Sequence, residues 1–344
     1  MPAPSLSVVV PCYNEAPCLP MLHARVSAAA HAAVGEDHEI VLVNDGSRDD
    51  SWAAMQALAA ADPRVVAINL SRNHGHQLAL TAGLDLCSGE QILIIDADLQ
   101  DPPELLADMR RAMTEQNADV VYAVRRKRQG ETIFKRATAA IFYRLLDRLT
   151  DTEIPLDTGD FRLISRRALD AFLALPEQAR FIRGMVAWIG FKQVPFPYDR
   201  QERAAGETSY PFAKMLRLAF DAVTGFSTAP LRFASHAGLA LTGVSMLLFV
   251  YIAIGWLSGT AVQGWTSTML VVVFLGAVQM FVLGMIGEYL GRMYVEVKRR
   301  PLYIVADVVG RAEGVATLGV APSQAGTASV TSDTPGAIGT VPTM

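Results

Sequence analysis

Between residues 233 and 287 the chain carries no Asp, Glu, Lys or Arg. A soluble surface of that length ordinarily carries charge, whereas a bilayer core accepts helices of about 20 apolar residues. The stretch has room for two such spans, placed near 233–257 and 268–290, with a short uncharged connector at 258–267. Arg232 precedes the first span, and Arg292, Lys298, Arg299 and Arg300 follow the second. By the positive-inside rule both flanks face the cytoplasm, and Trp256 and Trp265 fall near the opposite interface, where indole rings are favoured. The competing reading, a helical hairpin buried in a large soluble protein, fits the length of the uncharged stretch poorly. His236 within the first span suits a bond to a neighbouring helix.

The first 125 residues follow another rule. Apolar runs at 6–10, 39–43, 65–70, 91–95 and 119–123 alternate with amphipathic or capped stretches at 16–33, 50–61, 75–87 and 102–116. Strands alternating with helices predict right-handed βαβ units and a parallel sheet covered on both faces. Cys12, Cys18 and Cys87 show no metal-like spacing, and their odd number argues against a disulfide framework. The N-terminus runs directly into a strand-like segment without a basic n-region, so no signal peptide is expected. A net charge of −4 gives no reason to expect nucleic acid. Further along, residues 157–160 read as a turn leading into a short strand, and 211–226 as an amphipathic helix along the membrane surface or against a core. Small and polar residues beyond 310 read as a disordered tail.

The chemistry concentrates at the ends of the strands. The run Ile92-Leu93-Ile94-Ile95 ends in Asp96-Ala97-Asp98-Leu99-Gln100-Asp101, and ligands bind at the carboxyl ends of buried parallel strands. Two carboxylates and the Gln100 amide form a hard-oxygen set suited to Mg²⁺ or Mn²⁺ beside a nucleotide diphosphate. A helix N-terminus is the alternative; it accounts for Asp101 as a cap before Pro102 and Pro103, but not for Asp96 or Asp98. The first strand ends in Pro11-Cys12-Tyr13-Asn14-Glu15 and the second in Asn44-Asp45-Gly46-Ser47, so three polar strand ends share one sheet edge. Asn14, Asp45 and Ser47 also suit caps and turns. Residues 125–148 hold eight Lys/Arg, a basic patch in an acidic chain. His74 and His76, at the head of a helix, read as turn and packing residues.

These motifs, in this order and spacing, resemble glycosyltransferase family 2 with its GT-A fold. More narrowly the chain is similar to the polyprenyl-phosphate glycosyltransferases, through Asn73-His74-Gly75, residues 125–132, Gly159-Asp160-Phe161-Arg162-Leu163, Gly206-Glu207-Thr208-Ser209-Tyr210 and two terminal spans. The resemblance covers roughly residues 5–305. It implies an α/β architecture: a cytoplasmic GT-A domain over 1–210, a juxtamembrane helix over 211–232, two transmembrane helices over 233–291, a cytoplasmic segment over 292–310 and the tail over 311–344. It also implies roles. Pro11, Tyr13, Asn14, Glu15, Asp45 and Asp96 would hold the nucleoside of a nucleotide sugar, while Asp98 and Gln100 would hold Mg²⁺ or Mn²⁺ against the diphosphate. Arg125, Arg128 and Arg136 would grip a polyprenyl phosphate, since arginine binds phosphate oxygens bidentately. Asp160, with Asp157 second, is marked as the catalytic carboxylate, acting as base or orienter. A phosphate nucleophile is already ionised and needs a base little. Ser209 stands where relatives often carry lysine.

The expected activity is inverting, metal-dependent sugar transfer from a UDP- or GDP-sugar to undecaprenyl or decaprenyl phosphate, for cell-envelope glycan or lipid modification. The expected location is the inner membrane, multi-pass, with both termini cytoplasmic. Gly238, Gly243, Gly276, Gly284, Gly287 and Gly291 permit close helix packing and so a homo-oligomer. The rivals are a processive polysaccharide synthase and an inactive nucleotide-fold membrane scaffold. The first usually has more spans and a Gln-x-x-Arg-Trp motif, neither of which is found here; the second should have lost its acids.

Overall fold

The computed structural model describes residues 3–125, 158–199, 229–258 and 264–310. Asp157, Arg128, Arg136, residues 211–228 and the 311–344 tail lie outside the described residues, so expectations placed on them are not addressed by the fold.

Eight strands form one sheet: β1 (Leu6–Cys12), β2 (His38–Asn44), β3 (Val65–Leu70), β4 (Gln91–Ile94), β5 (Val120–Arg125), β6 (Thr158–Ser165), β7 (Gln193–Tyr198) and β8 (Val305–Val309). Their order is β7-β5-β6-β4-β1-β2-β3-β8. The helices are α1 (Leu19–Val34), α2 (Ser51–Ala61), α3 (His76–Leu86), α4 (Leu106–Glu115), α5 (Arg166–Leu173), α6 (Ile182–Trp188), α7 (Ala229–Leu257) and α8 (Trp265–Lys298). Every residue of β1 is buried, as an apolar run covered on both faces requires. Its period-2 alternation sends Val8 and Val10 into one core with residues of α1, α2 and α4, and Val9 into a second core with α3, α5 and α6. Burying each such side chain contributes about 1.5–3 kcal/mol.

The sheet is mixed rather than wholly parallel. β4, β1, β2 and β3 are parallel neighbours, but β6 enters antiparallel between β4 and β5, and β8 runs antiparallel to β3. Strand direction depends on how the chain re-enters the sheet, which apolar patterning does not encode. The reversal of β6 has a direct consequence for the site. Ile94 pairs with Arg162 and Val124 with Thr158, so the start of β6, not its end, shares an edge with the acids that follow β4. Asp160 therefore lies within a strand rather than in a turn.

Residues 229–257 and 265–298 form two long helices that pack on each other, longer at both outer ends than the expected spans. Within α8, Phe274–Lys298 contains an 18-residue stretch of mean hydropathy 1.4 with no buried residue, and is long and apolar enough to cross a membrane. Leu239, Leu247, Tyr251, Phe281 and Leu290 are exposed on the pair. An apolar surface this extended marks a membrane or partner contact.

The 292–310 segment, expected as a separate stretch, divides in two. Its first part completes α8, and its last part is the edge strand β8. Glu296 accepts the Gln178 backbone N–H at 2.9 and 3.0 Å on its two oxygens, and the Tyr303 hydroxyl donates to Asp85 at 2.7 Å. The Ser71 N–H donates to the Ile304 carbonyl at 2.9 Å. The chain beyond the hairpin is thus stitched back onto the sheet. The three cysteines are free and buried.

Candidate active site

The loop after β1 and the loop after β2 brace each other. Asn14 is left-handed, with φ 56°; its N–H donates to Ser47 Oγ at 3.0 Å and its Oδ1 accepts the Arg48 N–H at 2.8 Å. The Glu15 N–H donates to Ser51 Oγ at 2.9 Å. Pro11 is buried at the end of β1, while Tyr13 beside it is 42% exposed, an aromatic face open to a ligand. Gly46 has φ 62°, and any Cβ there would strike the backbone of Arg72 and Asn73. Only glycine lets the loop after β2 pass so close to the loop after β3. Asp45 is buried and accepts the backbone N–H groups of His74 at 2.7 Å and Gly75 at 2.9 Å. Burial outweighs those two bonds and leaves its carboxyl above the ordinary range. Asn14 and Asp45 thus work first as loop braces, each oxygen keeping a second lone pair for a ligand.

The loop after β4 is shaped by a strained residue. Leu99 has φ 60° with its side chain buried in the core, a conformation that costs a non-glycine residue about 1–2 kcal/mol. Such strain persists where the surroundings over-determine it, and it clusters at functional sites. Next to it, Asp98 Oδ1 accepts the Gln100 N–H at 3.1 Å, and both residues are half-buried. Asp101 is not the helix cap expected. The following 3₁₀ turn, Pro103–Leu105, is preceded by Pro102 and has no side-chain cap; Asp101 is instead fully buried and accepts the Tyr198 hydroxyl from β7.

Among the described residues no group of three or more His, Cys, Asp or Glu gathers as a metal site. Asp98 and Gln100 nonetheless fit a magnesium-type ion, which usually keeps several waters and takes one or two carboxylates plus substrate phosphates.

Asp160 occupies the most elaborate position. It shares a strand face with Arg162 and Ile164, the face covered by α3 and α6. The carboxylate is 4% exposed. It accepts from Arg183 Nε at 2.8 Å and Nη2 at 3.4 Å, and from Gln77 Nε2 at 3.2 Å; His76 Nε2 lies at 3.1 Å. Arg162 Nη2 lies 3.9 Å away and donates to the Gly159 carbonyl at 3.0 Å. Burial alone would raise this carboxyl, but His76, Arg183 and Arg162 outweigh it and hold it far below the usual range. Such a carboxylate is a poor proton acceptor.

His76 also lies 3.6 Å from Asp96, so one imidazole bridges the acid after β4 and the acid in β6. Burial opposes its charge, yet the two carboxylates hold its pKa above the ordinary histidine value. Burial and the neighbouring carboxylates push Asp96 up to about 6, against the pull of His76. The packing reading of His76 is thereby corrected. Arg183, the other partner of Asp160, went unread in the sequence, although a lone arginine in the apolar run Phe181-Ile182-Arg183-Gly184-Met185-Val186 was a usable signal. Arg125, at the end of β5, stands beside Gly159: its Nη2 would be 3.5 Å from a Cβ there.

Comparison with known proteins agrees with this architecture. The model of glycosyl transferase family 2 matches residues 7–173, and that of the GtrB C-terminal hairpin matches residues 229–293. An uncharacterized glycosyltransferase of Bacillus subtilis is 46% identical over 88% of this chain and 94% of its own. A prophage bactoprenol glucosyl transferase homolog of Escherichia coli is 38% identical, covering 88% of this chain and 99% of its own. The bactoprenol glucosyl transferase of Shigella phage SfII is 38% identical over 87% and 97%. Among solved structures, a mannosyltransferase from Pyrobaculum calidifontis in complex with GDP-Man and Mn²⁺ covers 82% of this chain and 87% of its own at 18% identity. Its TM-score of 0.44 is too low for its ligands to be carried across. With a strand-edge acid site at one end and a matched hairpin at the other, the chain belongs to glycosyltransferase family 2, in the group that ends in a GtrB-type C-terminal hairpin.

Proposed function

We propose that this glycosyltransferase moves a sugar from a UDP- or GDP-sugar to a polyprenyl phosphate, undecaprenyl or decaprenyl, at the cytoplasmic face of the membrane. The observation that carries the reading is the coupling, in one chain, of an acid-lined sheet edge to an apolar hairpin stitched back onto the same sheet. A soluble acceptor would need no such tether. The names of the bactoprenol glucosyl transferase relatives point the same way. Two spans with both termini cytoplasmic would place the sheet where a nucleotide sugar and a lipid headgroup meet.

In the reaction a lipid-phosphate oxygen attacks the anomeric carbon as the bond to the nucleoside diphosphate breaks. One displacement inverts the configuration. Tyr13, Asn14, Glu15, Asp45 and Asp96, with Pro11 shaping the turn, would hold the nucleoside. Asp98 and Gln100 would hold Mg²⁺ or Mn²⁺, whose charge stabilises the diphosphate leaving group. Arg125, Arg128 and Arg136 would receive the lipid phosphate. Asp160 serves as a brace rather than a base, because its basicity is suppressed and the nucleophile is already ionised; Asp157 is the second candidate. Positioning and charge neutralisation carry the rate.

The test is incubation of the full-length protein with labelled nucleotide sugars, polyprenyl phosphate and Mn²⁺. Labelled lipid is expected with one donor, and Asp98→Ala should lower turnover by about 10²-fold or more. No labelled lipid with any common donor, together with an Asp98→Ala protein indistinguishable from its parent, would sink the reading.

A further inference from the structure

We infer that Arg183, outside the basic patch that marks the acceptor site in the sequence, grips a phosphate of the reactants, with Asp160 as the positioning residue that aims it. The inference rests on the polyprenyl-phosphate reading above and adds a residue to it.

The charge arrangement is the first argument. Around the buried Asp160 carboxylate stand His76, Arg162 and Arg183, and Arg125 reaches the adjacent Gly159. Asp96, in ion-pair range of His76, is the second carboxylate of the cluster. Asp160 itself is outnumbered by these cations, while Asp98 and Asp101 lie on the Asp96 side of the cluster, so the positive excess is local to the Asp160–Arg183 end. An anion entering at that point completes the neutralisation.

Accessibility is the second argument. Arg162 is 3% exposed, whereas Arg183 is 35% exposed while bound to a carboxylate that is 4% exposed. Of the two arginines nearest Asp160, Arg183 is the one a ligand can reach. Its orientation is set on two sides: Nε and Nη2 lie on Asp160, and the Gln77 side chain, itself on Asp160, accepts the Ile182 N–H at 3.0 Å and anchors the head of α6. A guanidinium held this way loses little freedom on meeting a phosphate, which makes its planar fork a stronger binder than a free lysine.

The phosphate belongs either to the donor diphosphate or to the lipid headgroup. Full-length parent, Arg183→Lys and Arg183→Gln proteins in lipid nanodiscs separate the two. KM is measured for the nucleotide sugar and for undecaprenyl phosphate, calorimetry reads the affinity for the nucleoside diphosphate alone, and melting temperature reads folding. Arg183→Lys keeps the charge and loses the fork, so a KM increase of about tenfold or more is expected. If the nucleoside diphosphate affinity falls in parallel, the donor phosphate is the partner. If it is unchanged while the KM for the lipid rises, the headgroup is the partner. Both KM values and the diphosphate affinity within twofold of the parent in both variants would overturn the proposal, and so would a fall in melting temperature alone. A parent that makes no labelled lipid with any donor defeats the broader reading instead, and the diphosphate calorimetry still tests Arg183.

Discussion

Two carboxylates at one sheet edge are equally buried and held in opposite ways. Asp45, beyond β2, is 3% exposed and bonded to two backbone N–H groups of a neighbouring loop. Asp160, in β6, is 4% exposed and ringed by charged side chains from α3, α6 and its own strand. Burial raises the first carboxyl above its ordinary pKa, and cations hold the second far below. Depth therefore does not decide the state of a buried acid; the charge of its partners does. The Asp45 side of the sheet is a scaffold of loops fastened by neutral bonds, whereas the Asp160 side is an ionic cluster with a positive excess.

The largest expected effect comes from Asp160→Asn. It leaves His76, Arg162 and Arg183 without their shared counter-charge, and unpairing a buried ion network costs about 3–5 kcal/mol. Denaturation of the purified protein should show a loss of that size; a loss below 1 kcal/mol would mean that the cluster is not a coupled unit. Asp45→Asn should cost less, about 1–3 kcal/mol, because one buried backbone N–H then faces an amide donor. Its second signature is a raised KM for the nucleotide sugar with kcat little changed, as the braced loops loosen. An Asp45→Asn protein more damaged than Asp160→Asn would reverse the comparison.

The smallest effect is also the most diagnostic, because the two acids have opposite pH signs. A carboxyl with a raised folded pKa binds its proton more tightly when folded. The handicap of Asp45 therefore shrinks as pH falls through its folded value toward 3.8. A depressed carboxyl works the other way: the Asp160 contribution is complete above 3.8 and is lost only as pH falls through its much lower folded value. Stability curves of the parent against each variant, recorded from pH 7 down to pH 4, should diverge for Asp45→Asn, as the parent sheds its handicap, and run parallel for Asp160→Asn apart from the slope that His76 adds on losing one of its two carboxylates. Parallel curves for both would contradict the assigned partners.

Much of this was legible in the chain. Hydrophobic runs ending in Asp96 and Asp98, in Asp45 and after Pro11 are local patterns, and local patterns place strands and their ends. The hairpin was legible for the same reason, as a long run without charge. The role of Asp160 was not, because its partners come from residues 76, 77, 162 and 183, which only the insertion of β6 in reverse brings together. The strand β8 escaped notice because five residues after an apolar hairpin carry little periodicity, and pairing with β3 is what orders them. The left-handed turn at Leu99 was equally hidden, since leucine has no preference for that conformation and core burial of its side chain imposes it.

The amino-acid sequence alone determined that this protein would join a βα sheet with acids at its carboxyl edge to two apolar helices. Both follow from the spacing and continuity of apolar residues, which govern burial in water and in lipid alike. The tertiary structure decided which acids meet which cations. It ran β6 against its neighbours, placed Asp160 beside Asp96 and gave Arg183 a buried brace. Charges act through space, and the distances among these were settled only when the sheet closed around them.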